Sequence, residues 1–531
     1  MNTISDAAQP SQPPASLALH ARAERILLPG LMLGFAGDYL LRDGPHGLGL
    51  LAWLALLAAF ALWLARDAGV SRLRTIALTS ATALCAALMT ALRDLDGLIP
   101  AMLLVVLLCA VLMSLASSGI SLRAAQVRDY LATTFSLPLQ MFTLAPRVLH
   151  QANLGKVARN ERAPKVVRGI VFAIPVLMVF GVLFAAADAG FSQYLSSITT
   201  VISARTLQHL LVVLVFAWLA TSLLGIACRA ASNSTAAPSS IALLRVGATE
   251  THVVLALVSV LFMAFVVLQL GYLFGGTEVI TNTSGLTIAE HARRGFFELV
   301  VVSALTLAFL YGLSLTDCEP RILRRYGLVL IACVLVILGS ALQRLFLYTE
   351  AFGLTIERFC ALAAIAWLVF NLLAFSTTIL RGDIRRFASG IVISGIASLL
   401  LLGLANPAAI VTRINLDRSI ERKLPLDVHY LLSLGTDAIP PVLARFNALQ
   451  PSEQCAIAIH IASRYPLVPT GAATDTNEDW RRWNLSRRLA RGAVIEHADE
   501  VSAAYERFRQ AAEEASAQAL RQGGGAVMVS C

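Results

Sequence analysis

Long apolar runs recur along the chain, separated by short polar breaks. Ile99 to Leu115, Val253 to Phe274 and Leu328 to Leu347 are each near the length a helix needs to cross a hydrocarbon core. The runs read as continuous apolar helices, without the two-residue alternation of a half-buried strand. The pattern predicts spans at Ile26–Leu41, Gly47–Ala65, Leu73–Leu92, Leu98–Ser118, Val167–Ala187, Leu207–Cys228, Val253–Phe274, Gly295–Leu315, Gly327–Tyr348, Phe359–Leu380 and Gly390–Leu404. The expected fold class is therefore all-α: a polytopic helical membrane protein of about eleven spans. The first and last runs are the shortest.

Polar stretches frame this bundle. Residues 1–22 read as a disordered cytoplasmic tail, and 23–407 as the transmembrane helical domain with a cytoplasmic loop at 119–166. Within that loop Phe135–Leu149 is apolar but broken by Pro138 and Pro146, which suits a helix lying on the membrane surface better than a span. Residues 408–531 are polar with helical patches at Leu426–Leu434, Cys455–Ala462 and Ala493–Gln522, and read as a small helical soluble domain. Pro440–Pro441 marks a break or a helix start there.

Charge changes the picture in one respect, orientation. Arg66, Arg72 and Arg74, the basic loop 119–166, Arg229 with Arg245, Arg321 with Arg324 and Arg325, and Arg381 with Arg385 and Arg386 fall in loops of one parity. The opposite loops are poorer in Arg and Lys, which predicts a cytoplasmic amino terminus and, with an odd number of spans, a periplasmic terminal domain. Hydrophobic residues make up 57% of the chain and charged ones only 14%, against about a quarter in globular proteins. The net charge of +9 is spread over loops, without a compact basic patch, so nucleic acid is not an expected partner.

No phosphate loop, dinucleotide fingerprint, nucleophile elbow or metal-ligand spacing is present, so no catalytic residue, metal or cofactor is assigned. Cys455 and Cys531 are the only pair in the terminal domain, and the spacing leaves a disulfide between them open. The remaining chemistry lies in polar groups beside the spans. Thr287 and Glu290 make a capping box, and Arg294 can pair with Glu290 and Glu298, while Glu298 already lies inside an apolar run. Arg344 interrupts another run and can face Glu298 or Glu350, with Tyr348 in an interfacial aromatic belt. Asp38 with Arg42 reads as a self-paired couple one turn apart, and Asn371 as an interhelical hydrogen bond. Gly30 and Gly34 have the spacing of a close helix contact. The candidate polar site is thus Glu290, Arg294, Glu298, Arg344, Tyr348, Glu350 and Asp38.

Several motifs resemble a family of bacterial polytopic membrane proteins, the domain of unknown function numbered forty-one seventy-three or its relative forty-one fifty-three. They are Ala341–Arg344 with Tyr348–Thr355, Leu286–Leu299, Asn406-Pro407 leading to Arg413–Leu416, and Tyr430–Leu434 followed by Asp437–Pro440. The resemblance covers roughly Gly271 to Val442. An acidic residue after the Asn-Pro and an aromatic before the Asn-Leu are common in that pattern; here they are Ala408 and Ile414, which argues against catalysis at either. The resemblance implies a bacterial inner membrane and no particular activity. Three functions fit these features: a transport or lipid-handling path for a lipid or small anion, an envelope scaffold that engages a protein partner, and, ranked last, an enzyme on lipid-linked substrates.

Overall fold

The computed structural model describes residues 23–42, 47–70, 72–123, 125–152, 204–228, 248–274, 296–315, 319–382, 385–465 and 479–521, with isolated positions between 169 and 190. Among them every regular element is helical: α1 Ala23–Leu41, α2 Leu48–Asp67, α3 Leu73–Leu92, α4 Leu98–Ser117, α5 Val127–Gln151, α6 Ala204–Ala227, α7 Ala248–Phe274, α8 Phe296–Ser314, α9 Pro320–Phe352, α10 Ile356–Arg381 and α11 Arg385–Ala405. The polar segment adds α12 Pro407–Arg422, α13 Val428–Ser433, α14 Ile439–Leu443, α15 Pro451–Arg464, α16 Leu485–Glu496 and α17 Ala498–Arg521. Nine of the described helices, α2 to α4 and α6 to α11, are long and apolar enough to cross a membrane. Each matches an expected span. The expected first span forms as α1 but is not among the nine, because Glu24, Arg25 and Asp38 shorten its apolar stretch. The run at 167–187 falls on residues of which only isolated positions are described.

The chain folds as two compact units. The first holds α1, α2, α5, α6, most of α3 and α4, and the short segment Asp479–Trp483. Its centre is the pairing of α1 with α6. A Cβ on Gly34 would sit 2.6 Å from both the Ala217 Cβ and the Val213 carbonyl, so only glycine admits this approach. Pro29 lies inside α1 and removes one helix donor, and the Trp53 indole of α2 donates to the Leu33 carbonyl at 2.9 Å. At the far end of α4, Arg72 donates to the carbonyls of Ala116 and Ile120 at 2.8 and 2.7 Å, closing groups a helix end leaves open. α5 runs unbroken through Pro138 and Pro146. It lies against the ends of α4 and α6, where Leu137 and Leu144 pack with Val111 and Ile226. Its opposite face leaves Leu131, Phe135, Leu139 and Phe142 exposed, the pattern of an interfacial helix.

The second unit holds the turn 92–101, α7 to α15, α16 and α17. Buried polar residues join its spans. Asn371 of α10, 1% exposed, accepts from the Ser394 hydroxyl of α11 at 3.2 Å, the interhelical bond its position predicts. The terminal helices share one apolar core, with Val411, Leu431, Val442, Phe446, Ile461 and Val494 at its centre. Leu354 and, at its edge, Leu95, Ile356 and Phe359 also belong to that core, so it is built partly from the turns that join spans. Pro440 and Pro441 open α14, where a missing N–H costs nothing.

Candidate functional site

The residues singled out from the sequence divide into separate places. Glu290 and Arg294 lie outside the described residues. Glu298 is exposed in the first turn of α8, with no ion pair among the described residues. Arg344 donates to the Gln269 side-chain oxygen of α7 at 3.1 Å, and Ser340 donates to the same oxygen at 2.7 Å. Glu350 pairs with Arg422 of α12 at 3.2 Å, both side chains more than half exposed. Tyr348 carries the Arg358 guanidinium 4.1 Å above its ring. Asp38, in the first unit, forms the expected couple with Arg42 at 2.5 Å, and His209 of α6 joins it with Nδ1 2.8 Å from the carboxylate. Sequence reasoning did not select Gln269 or His209, because a partner on a distant helix leaves no local spacing.

Two knots in the second unit, neither identified as a site from the sequence, bring together the buried polar residues Asn415, Asp437, Asn484 and Ser486. The first grips the turn between α9 and α10. Asn415 of α12 accepts from the Leu354 N–H at 2.8 Å and donates to the Leu354 carbonyl at 2.7 Å, pairing one residue of turn as a strand neighbour would. The Tyr430 hydroxyl accepts the first N–H of α10, from Ile356, at 2.7 Å, and Arg418 donates to the Ala351 carbonyl at 2.8 Å. Burial pushes the Tyr430 phenol above its ordinary range, so it stays neutral and able to serve there.

The second knot is centred on Asp437, 5% exposed. One carboxylate oxygen accepts the Asn406 amide at 2.8 Å and the Ser486 hydroxyl; the other accepts the Asp94 N–H at 2.9 Å. Asp94 in turn receives the Thr436 hydroxyl at 2.9 Å and the Arg487 guanidinium at 2.7 Å. Arg93 lies 3.9 Å from Asp437 and donates to the last carbonyls of α11, Gly403 and Leu404, at 3.3 and 3.0 Å. The Asn484 amide closes the ring on the Arg93 carbonyl at 2.9 Å. The approach is close: Gly435 has φ +84°, and a Cβ there would lie 2.6 Å from the Asp94 carbonyl. With its oxygens occupied by buried donors, Asp437 is spent on holding the turn, and no acid–base pair is left open here.

The first unit contains a different feature. A small cleft of about 60 Å³ between α2, α3, α4 and α6 is lined almost wholly by apolar or small side chains, among them Leu57, Ala61, Ala83, Val106 and Met113. No cluster of three metal-ligating side chains occurs among the described residues.

The motifs that prompted a family resemblance therefore acquire structural roles. Asn415, Tyr430, Asn406 and Asp437 are the gripping residues of the two knots. The family model described as Domain of unknown function (DUF4153) matches residues 51–444, the second of the two families the motifs resemble. No curated protein and no solved structure matches the chain.

Proposed function

The chain belongs to DUF4153, a family of unknown function, and on that premise we propose that it is a membrane-embedded platform. Its spans hold the terminal helical body rigidly at one face of a bacterial inner membrane, where it presents a surface to an envelope partner or ligand. The observation that carries this reading is the Asp437 knot with its Asn415 counterpart: the body is wired to the turns and ends of the spans, not tethered by a linker. Such wiring transmits position, which a passive anchor does not require. Two features support a periplasmic body and a cytoplasmic amino terminus. Arg321, Arg324 and Arg325 lie in the first turns of α9, at the end of that helix opposite the turn gripped by the body. Cys455, in the body, is disulfide-bonded, which fits an oxidising compartment.

Protease added to spheroplasts and to inverted membrane vesicles tests the orientation, and truncation after Ala405 tests the platform. The body is expected to be cut only in spheroplasts, and truncation to reproduce the null phenotype while the spans still insert. Cleavage only in inverted vesicles overturns the orientation; a truncated chain that restores function overturns the platform.

Lipid handling is favoured by one specific observation, the apolar lining of the small cleft in the first unit, which suits hydrocarbon contact. The enzyme reading has no such support, since Glu350 is engaged by Arg422 at the surface.

A further inference from the structure

A cavity of about 340 Å³, open to solvent, indents the terminal body between α12 and α14. Arg413, Leu416 and Asp417 form one wall; Pro440, Pro441 and Arg445 form the other. The walls are fixed. Leu416 and Pro441 are buried in the body, and proline rings hold the backbone of the second wall. Prolines also carry no N–H, so donors here must come from side chains.

Two guanidinium groups supply them. Arg445 is held by Asp417 at 3.2 Å through one nitrogen, which leaves its other donors for a ligand. Arg413 is exposed and makes no hydrogen bond or ion pair among the described residues. A planar guanidinium fork matches the oxygens of a phosphate, and two forks facing one cavity can grip two of them. With Asp417 included, the three charged groups sum to a single positive charge. That balance suits a singly charged phosphodiester better than a doubly charged phosphate ester.

The position of the cavity narrows the source. Arg413 lies seven residues beyond Asn406, on the stretch of α12 that runs from the end of α11 to the Leu354 turn gripped by Asn415. Leu401 and Leu404 of α11 are 64% and 58% exposed, as lipid-facing side chains are, and Ile414 beside Arg413 is 47% exposed. Arg413 thus sits beside the ends of the spans, where headgroups begin if the body lies at the membrane face as proposed above. We infer that Arg413 and Arg445 form a binding site for a phosphodiester monoanion, the chemistry shared by a glycerophospholipid headgroup and by a soluble phosphodiester. The site does not depend on which side of the membrane the body occupies.

The test uses the full chain in nanodiscs of phosphatidylcholine with phosphatidylglycerol, with native mass spectrometry counting retained phosphatidylglycerol. Calorimetric titration with glycerophosphoglycerol, the same headgroup without acyl chains, is the second arm. Arg413→Ala is expected to weaken binding about tenfold, and Arg413→Lys, which keeps charge but loses the fork, by less. The unfolding midpoint should not move, because Arg413 holds nothing in the fold. Loss in the nanodisc arm alone identifies a lipid headgroup; loss in the titration alone identifies a soluble phosphodiester. Binding unchanged in Arg413→Ala and Arg445→Ala, or lost equally in Arg509→Ala at a remote exposed arginine, overturns the site.

Discussion

Replacing Asp437 with alanine removes the acceptor at the centre of the larger knot. The consequence can be counted donor by donor. The Asp94 N–H and the Asn406 amide, at 2.9 and 2.8 Å, lose their acceptor in a half-buried place. Ser486 keeps the Leu92 carbonyl at 2.8 Å, and Arg93 keeps the carbonyls of Gly403 and Leu404. Two orphaned donors at about 1–3 kcal/mol each, with a smaller loss from the carboxylate facing Arg93, give about 3–4 kcal/mol. Hydrogen exchange read by mass spectrometry is the assay, because it reports the Asp94 amide in the peptide spanning 92–97 as well as global unfolding. The expected result is loss of protection in that peptide, with the spans still protected. A destabilisation under about 0.5 kcal/mol, with the Asp94 amide still slow to exchange, would show that the carboxylate does not hold the turn.

Two further expectations follow from burial and close packing. Burial, then Arg464 and His429, holds the His460 imidazole below its ordinary 6.5, so the unfolded chain takes up this proton first. The stability this residue contributes is present above pH 6.5 and is lost as pH falls below it; the unfolding midpoint measured from pH 7.5 to about 5 should drop less in His460→Gln than in the wild type. Gly34→Leu places a side chain where the Ala217 Cβ and Val213 carbonyl already lie at 2.6 Å, and should part α1 from α6. A cysteine pair engineered across that contact would then cease to cross-link; undiminished cross-linking would contradict the packing.

The fold was legible in the sequence where the physics is local. Apolar run length is set by bilayer thickness, so nine of the described helices fall where the runs predict them. The Asp38–Arg42 couple was legible too, because its members are one turn apart. The knots were not. Asp437 meets the Asp94 N–H across 343 positions, and Asn415 meets Leu354 across 61, separations at which no periodicity operates. Asn406-Pro407, Asn415, Tyr430 and Asp437 stood out as motif residues, yet nothing in their spacing said that they grip turns. Arg344 and Glu350 drew attention because charge beside an apolar run is conspicuous. Their described partners, Gln269 and Arg422, lie on other helices.

The span of the Asp437 contact has a consequence for how the protein is made. The turn carrying Arg93 and Asp94 leaves the ribosome 343 residues before its acceptor. At about 5–20 residues per second that interval lasts roughly 17 to 70 s. Throughout it, two charged groups beside freshly inserted spans have no Asp437, Thr436 or Arg487 to meet. A chain stalled or truncated within this window carries the same exposed pair permanently. Completion of the protein is thus marked by withdrawal of this charged turn into the Asp437 knot.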